Sequence, residues 1–398
     1  MPIAPRLARH WLEFPFVSPK RRRRNGRGGF RPPHCPNPAC RFHRKAHGWL
    51  YVLDGFYYRP SDGRRFRAFQ CTSCRRKFST RTFSTTYWLK HRGLLLPCAA
   101  WISEGPGLRQ IARVMKTTHA TVGRMVSRAG RHCLLFHTDV MTEAGPILKE
   151  ELSMDGFETF EYSQYFPYHV NIAAGRPSCF IYHFNDAPLR RKGRMTPLQL
   201  LRRAELEALL GRPDPQAIRR AIYALIREVI RMVPEGMALY INSDELPFYV
   251  LALDDVRRTK GCPTIYHDQT NSKVRRDTAN PLFPVNLADL RIRHGQANHK
   301  RETIAFSKKR QKGMERQAIF VVWVNCIKKK SERKEAVTTS AMEIGLFSRP
   351  LGWRYVLRKR LFPGRIKLCP AWKRYYFGKV KTAIYGKNQK EHALKYAA

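Results

Sequence analysis

The chain has 398 residues, 43% of them hydrophobic, with 75 Lys+Arg against 30 Asp+Glu for a formal net charge of +45. That length and apolar content allow more than one domain with a real core, and the cation excess points to nucleic acid rather than to a membrane or an acidic protein. Ten cysteines in so long a chain do not make a disulfide scaffold.

Residues 1–30 form a basic tail carrying Lys20, Arg21, Arg22, Arg23, Arg24 and Arg27, a like-charge block suited to holding phosphates. The tail lacks the apolar core of a secretory signal, and no later run is long enough to span a bilayer. A cytoplasmic, nucleoid-associated protein is expected.

Residues 31–92 hold two close cysteine pairs, Cys35/Cys40 and Cys71/Cys74, separated by aromatic, strand-like text. Short-spaced pairs on two turns suit a tetrahedral thiolate site, so a zinc ribbon with structural Zn2+ on these four residues is predicted. His34, His43 and His47 crowd the first pair and could replace one Cys, although histidines on a basic loop more often face solvent or phosphate. The other six cysteines (Cys98, Cys133, Cys179, Cys262, Cys326, Cys369) stand singly and read as buried apolar residues.

Residues 97–136 are predicted helical. Leu108, Ile111, Ala112 and Met115 fall at i, i+3, i+4 and i+7, Lys116–Thr118 break the pattern, and Val122, Met125, Val126 and Ala129 repeat it. Two short amphipathic helices with a tight joint make a helix-turn-helix. The outward face of the second helix would offer His119, Thr121, Arg124, Ser127 and Arg128 to duplex DNA.

The remaining text alternates. Three β-like runs occupy about 150–185, a helical insertion follows at 186–236, and ALYIN and TIYHDQ read as further strands. Residues 285–330 are expected to be helical and basic, and 331–398 form a basic C-terminal extension. In a chain so poor in acids, strand-borne carboxylates stand out: Asp155 sits inside LSMDGFETF, and Asp244 follows ALYIN with only Ser243 between. Two such carboxylates side by side repel unless divalent metal lies between them, the arrangement that two-metal phosphoryl transfer needs. A third acid is expected on a later helix, either Asp289 or Glu302. Asn286, three residues before Asp289, could add a neutral oxygen.

With these residues assembled, the chain resembles insertion-sequence transposases that begin with a zinc ribbon and helix-turn-helix and end in an acidic-triad (DDE-type) catalytic domain. The likeness covers most of residues 30–330. Its most specific stretch is Arg301-Glu-Thr-Ile-Ala-Phe-Ser-Lys308, similar to the Arg-Lys-Thr-Ile-x-Phe-Ser-Lys stretch of the family of insertion element one. The resemblance implies an RNase H-like core over 150–330, Mg2+ (or Mn2+) as working metal, and Asp155 and Asp244 as the first two acids. Counting back from the motif, the family's Glu falls on Asn286. Asp289, one turn further on, takes its place, with Glu302, where the family has Lys, as the alternative. The expectation is therefore an α/β multidomain protein that cuts element ends and transfers the 3′-hydroxyl to target DNA, working as at least a dimer. A non-catalytic DNA-binding regulator or inactive relic is the alternative.

Overall fold

A computed structural model describes residues 30–385 apart from 61–62, 272, 301–302 and 334–336. The basic tail and Glu302 lie outside the described residues. Among those described, the chain is α/β, with twelve α-helical segments, a three-stranded sheet and a five-stranded mixed sheet.

The first unit contains α1 (Arg41–Arg44) and the antiparallel strands β1 (Tyr51–Tyr58), β2 (Arg65–Cys71) and β3 (Lys77–Ser79), ordered β1-β2-β3. Its core is small and aromatic: Trp49, Phe69, Phe78 and Phe83 close around Cys35, Cys40 and Cys71. Three helices follow, α2 (Leu95–Ser103), α3 (Leu108–Val114) and α4 (His119–Ala144). Lys116 closes α3 with a left-handed φ of 47°. Thr118 then caps α4 by accepting the Thr121 N–H at 3.2 Å, which satisfies a donor the helix start leaves open. At 26 residues, α4 is far longer than a second helix of a short pair.

The larger sheet opens with an antiparallel meander, β4 (Leu152–Phe160), β5 (Pro167–Gly175) and β6 (Ile181–Pro188). After α5 (Pro197–Leu210) and α6 (Ala217–Ile230), strand β7 (Leu239–Ser243) pairs parallel to β4. Helix α7 (Pro247–Arg257) leads to β8 (Ile265–Gln269), parallel to β7, for the order β6-β5-β4-β7-β8. The expected insertion divides into two kinds of helix. In α6, Ile218, Ile222, Leu225, Ile226 and Val229 make one buried stripe that covers β5 and β6; α5 leaves Leu198, Leu201 and Leu209 exposed.

Helix α8 (Phe283–Gly295) packs on β4 and β5, and α9 (Arg310–Val322) packs along α4 before ending in a π-helical turn, Trp323–Ile327. Gly130 marks the crossing of α4 and α9, where a Cβ would stand 2.1 Å from the Glu315 carbonyl oxygen. Gly130→Ala therefore sets two effects against each other. Alanine favours the helix by about 1 kcal/mol, but forcing two backbones apart costs about 1–3 kcal/mol. Net destabilisation is expected in a urea titration, and an unchanged or raised midpoint would show that the crossing yields freely.

The C-terminal residues are a structural part of the molecule. Helices α10 (Ser340–Glu343), α11 (Trp353–Val356) and α12 (Pro370–Tyr376) bring Trp353, Trp372, Tyr375 and Tyr376 into the main core, which also includes α2–α4 and the sheet. Phe362 enters the small aromatic core instead. Around it, Arg360 N–H and Nη1 each donate at 2.9 Å, to Phe83 O and Thr82 O. Arg44 Nε donates to Gly364 O at 3.2 Å, and Arg365 Nη1 reaches the carbonyls of His43 and Arg44.

Candidate metal sites and nucleic-acid face

The four cysteines predicted from spacing meet: Cys35, Cys40, Cys71 and Cys74 have sulfur atoms that all lie within 4.8 Å of one another. Cys35 Sγ is 3.6 Å from Cys74 Sγ, and Cys40 Sγ is 4.0 Å from Cys71 Sγ. A zinc ion with Zn–S bonds of about 2.3 Å needs tetrahedron edges of about 3.8 Å, so these separations fit a structural Zn2+. The second pair sits on a knuckle turn: Arg75 N–H donates to Cys71 O at 3.0 Å, with Arg75 at φ 58°. Burial raises the Cys71 thiol, but the N–H groups of Cys74, Trp49 and Ser73 outweigh it and pull the pKa down to about 7. The Trp49 Nε1–H contact to Cys71 Sγ is 3.2 Å.

His34 and His43 are not solvent-facing, nor do they replace a cysteine. Both are buried, with Nδ1 atoms 3.0 and 2.8 Å from Cys35 O, which accepts from them. They hold the backbone of a ligand-bearing turn, and their pKa values are lowered by burial first and by Arg365 among nearby cations. His47 is exposed.

The outward face expected on α4 is narrower in the structure. His119 and Arg124 are exposed. Thr121 and Ser127 are only 5% and 4% exposed: Arg124 Nη2 donates to Thr121 Oγ1 at 3.0 Å, and at Ser127 α4 is covered by α9, with Lys312 Nζ donating to Ser127 Oγ at 2.7 Å. Arg128 turns inward: Nε donates to Thr85 O at 3.0 Å and Nη2 to Tyr87 O at 3.5 Å. Burial lowers its pKa to about 10. The helical pattern marked a buried stripe but could not show that a second covering helix widens it. Arg124→Ala and Arg128→Ala should therefore differ in kind. Losing the exposed Arg124 should weaken duplex binding without moving the unfolding midpoint. Losing Arg128 strands two carbonyls and should cost about 1–3 kcal/mol of stability. Equal effects of the two in binding and unfolding assays would contradict this division.

The carboxylates are set by strand register. Leu152, Ser153 and Met154 lie opposite Ile241, Asn242 and Ser243 in the parallel β4–β7 pair, so the next step puts Asp155 beside Asp244 as the chain leaves β7. Asp155 Oδ1 accepts the Gly156 N–H at 2.6 Å, and Asp244 Oδ1 accepts the Leu246 N–H at 3.1 Å. Burial raises the Asp155 pKa to about 7; the Gly156 N–H opposes this, the charges of Asp244 and Asp289 add to it, and Arg276 opposes it. Asp244 is also raised, by burial first and then by Glu245. Asp289 is brought to this side by α8 and is held by Arg293 on the next turn, with Nε 3.0 Å from both oxygens. The three acids are looser than the cysteines: among the described residues, only the four-cysteine group has its ligand atoms all within 4.8 Å.

Three features here were missed from sequence. Arg276, on the loop after β8, is near enough to lower the Asp155 pKa, and nothing in the local text marks it. Tyr249 on α7 is buried close to Asp155 and Asp244, whose charges raise its pKa after burial. Gly156 is required by space, since a Cβ would stand 2.2 Å from the His169 ring and 2.4 Å from Val170 O.

No protein-family model matches the chain, and no curated protein is significantly similar to it.

Proposed function

We propose that the chain is a metal-dependent DNA strand-transfer enzyme of the insertion-sequence transposase kind. The observation that carries this reading is the convergence of Asp155 on β4, Asp244 just past β7 and Asp289 on α8, where burial first and then the charges of Asp244 and Asp289 raise the pKa of Asp155. The strand order supports it: of the five strands, the first three are antiparallel and the last two run parallel to the first, in order 3-2-1-4-5, an order compatible with the RNase H-like core that the resemblance implies. On this reading the cysteine unit is a zinc ribbon, and α3 and α4 form a helix-turn-helix that reads duplex DNA through His119 and Arg124.

Asp155, Asp244 and Asp289 would hold Mg2+ (or Mn2+), because carboxylates that oppose one another's ionisation are relieved by a divalent cation. When bound, the metal activates the attacking oxygen and stabilises the leaving oxygen at phosphorus. Arg276 offers a cation to the phosphate being cut. Asp289 would have to exchange its bond with Arg293 for the metal, one helical turn from Asn286. That bond favours a second reading, a DNA-binding regulator without strand cleavage. Joining two element ends to target DNA requires at least two copies of the chain.

The two readings separate when the purified chain is incubated with duplexes carrying its element ends and Mg2+ or Mn2+. Strand cleavage with release of a 3′-hydroxyl supports the enzyme. Salt-sensitive binding without cleavage supports the regulator. Glu302→Gln compared with Asp289→Asn then decides the third acid, since only loss of the true ligand should stop cleavage.

A further inference from the structure

Strands β7 and β8 form one flank of the larger sheet. Leu239 and Ile241 face its buried side, and Tyr240 faces the other. Register sets Tyr240 opposite Tyr266 on β8. The two rings stack with centroids 4.8 Å apart and an interplanar angle of 20°, yet they are 47% and 51% exposed. Tyr240 shares its face with Asn242, which lies opposite Ser153, and therefore with Asp155 two residues beyond Ser153. This is the side on which α8 lies, because Ser153 Oγ donates to Pro281 O at 2.5 Å, just before that helix. Helix α8 covers β4 and β5 and leaves the tyrosines bare. Tyr240 is four residues before Asp244, or about 13 Å at the rise of an extended strand.

We propose that Tyr240 and Tyr266 form a stacking platform for unpaired bases of the DNA strand whose phosphate reaches Asp155 and Asp244. The proposal rests on the strand-transfer reading and adds where the strand lies. Aromatic faces take any base, so such a platform holds a strand without reading its sequence. In a duplex the base faces are already covered, which restricts the platform to a strand freed near the cut. The charges nearby agree: the loop after β8 carries exposed Lys273, Arg275 and Arg276, and Arg276 approaches Asp155. Asp268, opposite Asn242 on the same face, disfavours phosphate on that patch of the sheet and so favours bases there.

The test compares the full-length chain with its Tyr240→Ser/Tyr266→Ser variant on two probes, a flush duplex and the same duplex with a short single-stranded extension. The wild type should bind the extended probe more tightly. The variant should lose about tenfold on that probe, the order of one or more lost base stacks, while binding the flush duplex unchanged. Tyr240→Phe/Tyr266→Phe should behave as the wild type, and 2-aminopurine in the extension should be quenched by the wild type but not by the Ser pair. If the Ser variant matches the wild type on both probes, the platform is wrong while DNA binding stands. A Ser variant that changes only its oligomeric state in sedimentation would make the pair a contact between copies, which also overturns the platform. A wild type that binds neither probe removes the strand-transfer reading itself.

Discussion

Asp155→Asn and Asp244→Asn should each reduce Mg2+-dependent strand cleavage by at least about a thousandfold, equivalent to about 4 kcal/mol of barrier, with duplex binding retained. On the strand-transfer reading each removes a charged oxygen ligand from the metal site, while the face of α4 proposed to read DNA is untouched. The metal-free protein offers a separate readout. Asp155 keeps its proton up to about pH 7 in the folded chain, against a usual value of 3.8. Between these values the folded state binds more protons than the unfolded state, so this group's contribution to stability falls as pH rises through the window. Asparagine carries no such penalty. Without metal, Asp155→Asn should melt higher than the wild type above pH 7, and the difference should shrink towards pH 4. Added Mg2+ should raise the melting temperature of the wild type and not of the variant. Unimpaired cleavage by either Asn variant would refute the catalytic assignment. Identical pH profiles in the absence of metal would remove the electrostatic part of the argument.

The second large effect concerns the cysteines. Cys35→Ser or Cys71→Ser should reduce bound zinc from one ion per chain to none and unfold the unit around it. That unit's core is a few aromatic rings closed over the sulfur atoms, too little to hold a small sheet by hydrophobic burial alone. Structural zinc supplies about 10–16 kcal/mol of apparent binding energy in small peptides, enough to decide whether such a unit folds. Limited proteolysis should cut within residues 31–92 while the sheet around β4 stays protected. Cys98→Ser, in the main core, should leave the zinc count unchanged. Full protection of residues 31–92 in strong chelator would show that the cysteine unit folds without metal.

Local signals in the sequence located what depends on local spacing. The cysteine pairs, the runs that became β4, β5, β6 and β7, and the break between α3 and α4 all follow from short-range pattern. Asp155 and Asp244 were legible because a charged residue in or directly after a buried strand is costly and therefore conspicuous. What escaped depends on contacts between distant segments. Ser127 reads as outward until α9 is laid across α4, and the need for Gly130 exists only at that crossing. Arg276 and Tyr249 join the carboxylates through the folding of loops and helices, with no period to reveal them. The aromatics after Gly345 sit in what reads as a basic C-terminal extension. Their burial follows from the space left beside α4 and α9, which no local pattern encodes.

The clasp between the cysteine unit and residues 360–365 has a consequence for biosynthesis. The Arg44–Gly364 bond joins residues 320 positions apart, and Phe362 completes an aromatic core that begins at Cys35. On the ribosome the cysteine unit emerges long before Phe362 and, on the zinc reading, can take up metal early. Its slot for Phe362 then stays open until the chain has been made through residue 362. Loop closure over such a span is slow, so the nascent protein presents a bare aromatic notch throughout translation. Early termination would leave that notch uncovered for good. Chains cut short before residue 353 should accordingly be held by chaperones or degraded, and messages translated only in part should yield little N-terminal fragment.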